Sequence, residues 1–94
     1  MITITTRFPF GQVLATPGAQ AALEKAGETP GPYLARHGAG DWGKVCADDA
    51  ALNDQALIDG DRVMSVYELG DKTRLWIITE CDRSVTTLLL PEEY

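Results

Sequence analysis

The sequence predicts an α+β domain in which an N-terminal strand and two to three short helices pack on a C-terminal three-stranded antiparallel meander. Three observations carry that expectation. Residues 2–6 alternate Ile and Thr, the period of two of a half-buried strand. The middle of the chain twice repeats Thr-Pro, apolar residues at helical spacing and then Gly. The last third returns to period two, with short polar turns between its segments.

The elements follow in order. After the strand at 2–6, Phe8-Pro9-Phe10-Gly11 interrupts the pattern, and Gln12 to Ala15 forms a second short extended piece. Thr16-Pro17 opens the first helix, because Thr caps free N–H groups and Pro suits a position whose N–H would have no partner. Ala19, Ala22, Leu23 and Ala26 supply its buried stripe, and Gly27 ends it. Thr29-Pro30 opens a second, shorter helix that carries Tyr33 and Leu34 and closes at Gly38. Gly38 to Gly43 is a turn built around Trp42; its G-x-G-x-x-G spacing follows a helix rather than a strand, and Asp41 would repel a phosphate. Asp48 or Asp49 caps a third helix that runs to about Asp59 and stops at Gly60.

The meander comes next. Arg62 to Leu69 alternates, with Val63, Ser65, Tyr67 and Leu69 on one side, and Gly70-Asp71-Lys72 turns the chain. Leu75-Trp76-Ile77-Ile78-Thr79 is apolar on both sides, which reads as a central strand covered by helices. Asp82-Arg83-Ser84 makes the next turn, and Val85 to Leu90 is a final strand halted by Pro91.

Composition narrows the function classes. With 94 residues, 45% of them apolar and 23% charged, the chain forms a single domain spanning 1–94. So small a core makes a homodimer a natural supplement. Fourteen acidic against eight basic residues leave a net charge of −6, which disfavours direct binding to nucleic acid or anionic lipid. Between Asp41 and Asp61, six aspartates meet a single lysine, Lys44. That stretch reads either as a solvated helix face or as an acidic surface for a basic protein partner. No apolar run is long enough to span a bilayer and no leader is visible, so the expected compartment is the cytoplasm, with Cys46 and Cys81 as free thiols and Cys81 buried. One His and two isolated Cys lack metal-ligand spacing, and no nucleotide loop or nucleophile elbow is present, so the residues call for neither metal nor cofactor.

Candidate site residues fall in three places. His37, at the end of the second helix, is either a general acid or base or a cation at the helix C-terminus. Beside it, Asp41 and Trp42 occupy the glycine turn, with Trp42 either an anchor to the sheet or a stacking platform. Asp49 and Asn53 share one face of the third helix, as a ligand pair or as a holder of the adjacent loop. The densest polar region is the corner at 79–87, where Thr79, Glu80, Asp82, Arg83 and Thr86 crowd a strand–turn–strand junction. Its carboxylates can do acid–base work or hold a metal, or else Asp82 and Arg83 build the turn; Arg62 and Arg83 can pair with carboxylates or grip a phosphate.

Taken together, RHGAGDWG (36–43), Asp49 with Asn53, and LWIITECDRSVTTLLLPEEY (75–94) resemble a family of small uncharacterised bacterial proteins carried on plasmids, integrated elements and integron-type gene cassettes, some labelled plasmid-related proteins. The similarity runs from about Phe10 to Tyr94. Its signature falls on His37, Asp41, Trp42, Asn53, Trp76, Thr79, Glu80, Asp82, Arg83, Thr86, Thr87 and Tyr94. The resemblance implies that the turn and the corner belong to one site, and it brings no activity.

Three functional expectations follow. The leading one is a non-enzymatic binding protein of mobile DNA, an inhibitor or accessory factor that meets a basic protein through 41–61. The second is a small ribonuclease of the RelE-like toxin type, with His37, Arg62, Arg83 and Thr79 as candidate catalytic groups, an analogy of fold alone. The third is a small-molecule binder with a pocket between helix and sheet lined by Trp42, Trp76 and Tyr67.

Overall fold

In the computed structural model, which describes residues 6–94, the first helix begins as its sequence dictates. The Thr16 hydroxyl accepts from the Ala19 amide at 3.1 Å, Pro17 takes the first helical position, and Gly27 closes α1 (Pro17–Ala26) with φ at 69°. The second helix, α2 (Gly31–Gly38), starts one residue later than Thr29-Pro30 suggests, because Pro30 itself is the cap and Thr29 makes no capping bond. The third, α3 (Ala47–Asp59), is capped by the backbone of Cys46, not by Asp48 or Asp49. Those two carboxylates lie inside the first turn, where they complement the helix dipole.

The strand expected at 2–6 lies outside the described residues except for Thr6, which belongs to no strand. The first strand among the described residues is β1 (Gln12–Ala15), the second extended piece that the sequence predicts. It joins β2 (Val63–Glu68), β3 (Arg74–Thr79) and β4 (Val85–Leu89) in one mixed sheet of order β1-β4-β3-β2. The meander is antiparallel as predicted, and β1 adds to it in parallel beside β4, with Val13 opposite Thr86.

All three helices lie on the same side. The residues that face them are Val63, Ser65 and Tyr67 of β2, Leu75, Ile77 and Thr79 of β3, and Thr86 and Leu88 of β4. Ala19 and Leu23 of α1 and Tyr33 of α2 close over Tyr67, Leu75, Ile77 and Leu88. Phe8, Trp42 and Ala56 of α3 gather over Val63. Each fully buried Leu or Ile here contributes roughly 2 kcal/mol of transfer free energy.

The opposite face corrects the expectation drawn from the doubly apolar β3. Among the described residues no α-helix covers Val66, Trp76 or Thr87, which stay half-buried, while Met64 borders α3 and Ile78 and Leu89 are buried among their neighbours; the short turn Pro91–Glu93 and Tyr94 fold over one end, with the Tyr94 ring 5.4 Å from Trp76. The thinnest dimension, 19 Å, is that of one helix layer on one sheet. Trp76 is apolar because its neighbours on this open face are apolar, not because a helix lies over it.

Candidate functional site

The polar centre of the molecule is a chain of hydrogen bonds around His37. Its Nδ1 lies 2.5 Å from Ser65 Oγ, and its Nε2 lies 2.9 Å from Thr79 Oγ1. Thr79 Oγ1 is 2.8 Å from Thr86 Oγ1, which donates to the Phe10 carbonyl at 2.8 Å. That last bond orients the whole chain, because a carbonyl has no proton to give. Thr86 gives its single proton to Phe10, so it accepts from Thr79. Thr79 in turn accepts from Nε2–H, which leaves Nδ1 as the acceptor of the Ser65 hydroxyl. The ring is therefore the neutral Nε2–H tautomer.

Three adjacent strands contribute one hydroxyl each, and the last turn of α2 sets the imidazole over them. Phe8 and Trp42 meet the ring edge-on at 5.2 and 5.7 Å, and Phe10 lies at 5.7 Å. His37 is 0% exposed, as are Ser65, Thr79 and Thr86. Burial, reinforced by the nearby Arg83 cation, drives the His37 pKa down from 6.5 to about 4. A serine hydroxyl against an imidazole is the pairing of a nucleophile and its base. Here both are fully buried, and the arrangement ties the sheet to α2. Dipole contact at the helix end, the structural role first expected of His37, is thus replaced by core bonding.

Arg83 extends the same region outward. Its backbone sits at φ 59°, and its guanidinium donates to the carbonyls of Asp61 (2.7 Å), Glu80 (3.1 Å) and Ala56 (3.3 Å). It lies 5.6 Å over the Phe8 ring. The cation satisfies carbonyls at the C-terminal end of α3, where a helix dipole favours it. It is a clamp between hairpin and helix, with its fork already engaged.

Asp82 accepts from the Ser84 amide at 3.0 Å and hydroxyl at 2.6 Å, and these bonds hold its carboxyl below the usual range. It builds the turn. Glu80 contributes its backbone to the same turn while its side chain points to water. Asp41 pairs with Arg36 at 2.7 Å and also accepts from the Gly43 amide, so it too is held below the ordinary carboxylate range, first by the Arg36 bond.

Trp42 is an anchor, as one of its two readings held, although its side chain reaches a helix more than the sheet. The indole N–H donates to Asp54 of α3 at 3.0 Å, and the ring lies against Phe8 and His37. Its backbone carbonyl accepts from Val66 at 3.0 Å, and the Lys44 amide donates to the Val66 carbonyl at 2.6 Å. The approach requires Gly43: a Cβ there would stand 2.1 Å from the Val66 oxygen.

Asn53 performs the same service one pair along. It accepts from the Met64 amide at 3.2 Å and donates to the Met64 carbonyl at 2.7 Å. The amide imitates a neighbouring strand, so the outer edge of β2 is closed at both Met64 and Val66. Of the two readings of Asn53, holding adjacent backbone is the one realised. Arg62 lies over the Tyr94 ring at 5.6 Å and also borders, with Asn53, the space between α3 and β2.

The glycine turn and the hairpin corner are thus neighbours, with Phe8 and His37 between them. His37, Trp42, Thr79, Arg83 and Thr86 come together; Asp41, Glu80 and Asp82 point outward, and Arg62 and Asn53 lie away from this cluster, beside one another at the edge of β2. Ser65, a member of the central chain, was not singled out in the sequence; its inward place in the alternation of β2 was the available signal. Tyr67 and Trp42 lie on the helix side and Trp76 on the other, so they share no pocket. Cys81, expected inside, is exposed, as is Cys46, because Cys81 falls in the turn beyond the end of β3. Compared with protein-family models, with curated proteins and with solved structures, the chain matches none.

The surfaces left accessible are distinctive. Asp48, Asp49 and Asp59 stand on α3 with no salt bridge among the described residues. Leu52 and Ile58 of the same helix are 67% and 79% exposed. A shallow cleft of about 220 Å³ separates α3 from β2, lined by Val45, Asp49, Leu52, Asn53, Arg62 and Met64. No helix among the described residues is long and apolar enough to cross a membrane.

Proposed function

We propose that the protein is an interaction module, an accessory or inhibitory factor of mobile DNA that docks on a basic partner protein through α3. One observation carries the reading: Leu52 projects from α3 beside a cleft of mixed polarity, with the exposed carboxylates of Asp48 and Asp49 one turn away and that of Asp59, which accepts from Gln55, further along the helix. Apolar anchors ringed by charge are the anatomy of a docking surface, and a net charge of −6 steers a cationic partner toward it. An aliphatic side chain of the partner fills the cleft against Val45 and Met64, while flanking lysines or arginines meet Asp48 and Asp49 on the side away from Arg62, which also lines the cleft.

The test is capture from cell extract by the immobilised protein, with partners identified by mass spectrometry. Asp48→Asn, Asp49→Asn and Asp59→Asn together should abolish capture of a basic protein, and Leu52→Ser should weaken it. Asp54 is left intact because it holds the Trp42 indole. Equal recovery of the same partner by wild type and both variants removes α3 from the reading.

A further inference from the structure

The two edges of the sheet are treated oppositely. On β2, Asn53 and the 42–44 segment occupy the outward backbone groups of Met64 and Val66. On β1, Gln12 and Thr16 donate inward to Ser84 and Leu88 of β4, so the alternate residues Val13 and Ala15 direct their N–H and C=O groups away from the sheet. The Ala15 carbonyl takes the Gln20 side chain; among the described residues nothing pairs with Val13. Val13 and Leu14 are also 44% exposed each, an unusual state for aliphatic side chains on a sheet.

A groove accompanies this edge. Phe10, just before β1, shares a hollow of about 280 Å³ with Gly31, Leu34 and Ala35 of α2. Ala15, at its end, shares one of about 320 Å³ with Leu23, Glu24, Glu28 and Pro30. The first is apolar. The second contains two carboxylates, of which Glu28 is fixed by the Tyr33 hydroxyl and by the Gly70 amide at 2.6 Å.

We propose that the outer edge of β1 and this groove take up an extended segment of a basic protein, which adds to the sheet as a fifth strand. Backbone bonds to Val13 and Ala15 give the register, an aliphatic side chain enters the Phe10–Leu34 hollow, and a lysine or arginine about four residues away meets Glu24 and Glu28. The groove's charge selects a cationic segment over an anionic one. This surface lies at the opposite edge of the sheet from α3 and stands independently of the docking reading above.

The probe is a fluorescein-labelled octapeptide, Ser-Val-Ser-Val-Ser-Lys-Ser-Lys, tested with its reversed sequence and a version with Glu for Lys. Fluorescence polarisation should show saturable binding of a lysine peptide in one of the two directions and none of the Glu version. Val13→Pro removes the outward N–H without touching a bond to β4, and should weaken binding about tenfold or more. Glu24→Gln with Glu28→Gln, whose Oε1 still accepts from the Gly70 amide while its Nε2 donates to the Tyr33 oxygen, should do likewise. In the unaltered protein, hydrogen exchange at the Val13 and Ala15 amides should slow when peptide is added, a reading that depends on no variant. Binding by no lysine peptide, binding without added amide protection, or equal binding to the Glu version overturns the proposal. Two further results give the edge to another occupant and also overturn it: a concentration-dependent dimer lost in Val13→Pro, or peptide capture only after residues 1–5 are removed.

Discussion

Acid should loosen this protein before its carboxylates begin to titrate, and His37 is the reason. The imidazole is free to take a proton at about pH 6.5 in the unfolded chain, but burial beside Arg83 pushes its folded pKa down to about 4. A base with a depressed folded pKa stabilises the fold fully above its unfolded pKa. That contribution is lost as pH falls from 6.5 toward 4, since only the unfolded chain accepts the proton there. Each pH unit in that window removes about 1.4 kcal/mol, so the step from pH 6.5 to 5 removes about 2 kcal/mol, a large share of the ~5–15 kcal/mol a small domain possesses. Protonation of Nδ1 would also force the Ser65 hydroxyl to stop donating to it. Glu28, Asp41, Asp71, Asp82 and Glu93, held below their ordinary values chiefly by side-chain hydrogen bonds, act later: their contribution is full above the usual carboxylate range and is lost only below it. Urea denaturation at half-unit steps from pH 7.5 to 4.5, for wild type and His37→Gln, measures the effect. The wild type should lose stability steadily below pH 6.5, while the variant, less stable at neutral pH, should stay flat to about pH 5. A flat wild-type profile, or an equally steep variant, refutes the reasoning.

Other perturbations probe the remaining contacts. Asn53→Leu leaves the Met64 amide and carbonyl without partners, which should cost about 2–3 kcal/mol in urea denaturation and increase light scattering as the β2 edge opens. Arg83→Lys keeps the cation but loses the fork that reaches three carbonyls, and should destabilise by about 1 kcal/mol or more; Arg83→Gly relieves the positive φ and should not recover that loss. Trp42→Phe leaves Trp76 as the sole indole, so the remaining emission should be readily quenched by acrylamide, whereas Trp76→Phe should leave a shielded emission from Trp42. Both thiols of the native protein should react rapidly with a disulfide reagent, because Cys46 and Cys81 are exposed.

By itself the sequence determined the local elements, because their signals are local. Thr16-Pro17 with Gly27 bounds a helix through the hydrogen-bonding needs of a few adjacent residues, and the alternation at 62–69 assigns Val63, Ser65 and Tyr67 to one face whatever lies above it. Tertiary structure alone decided which side of β3 would be covered, since apolar residues on both sides look alike whether a helix or only neighbouring side chains shelters them. It alone decided that β1 would return beside β4, a pairing between residues more than seventy positions apart. The polar candidates were legible as residues but not as roles. Arg83, Asn53 and His37 could equally have met a ligand or the backbone, and that choice depends on where distant carbonyls, amides and hydroxyls come to rest once the helices close over the sheet.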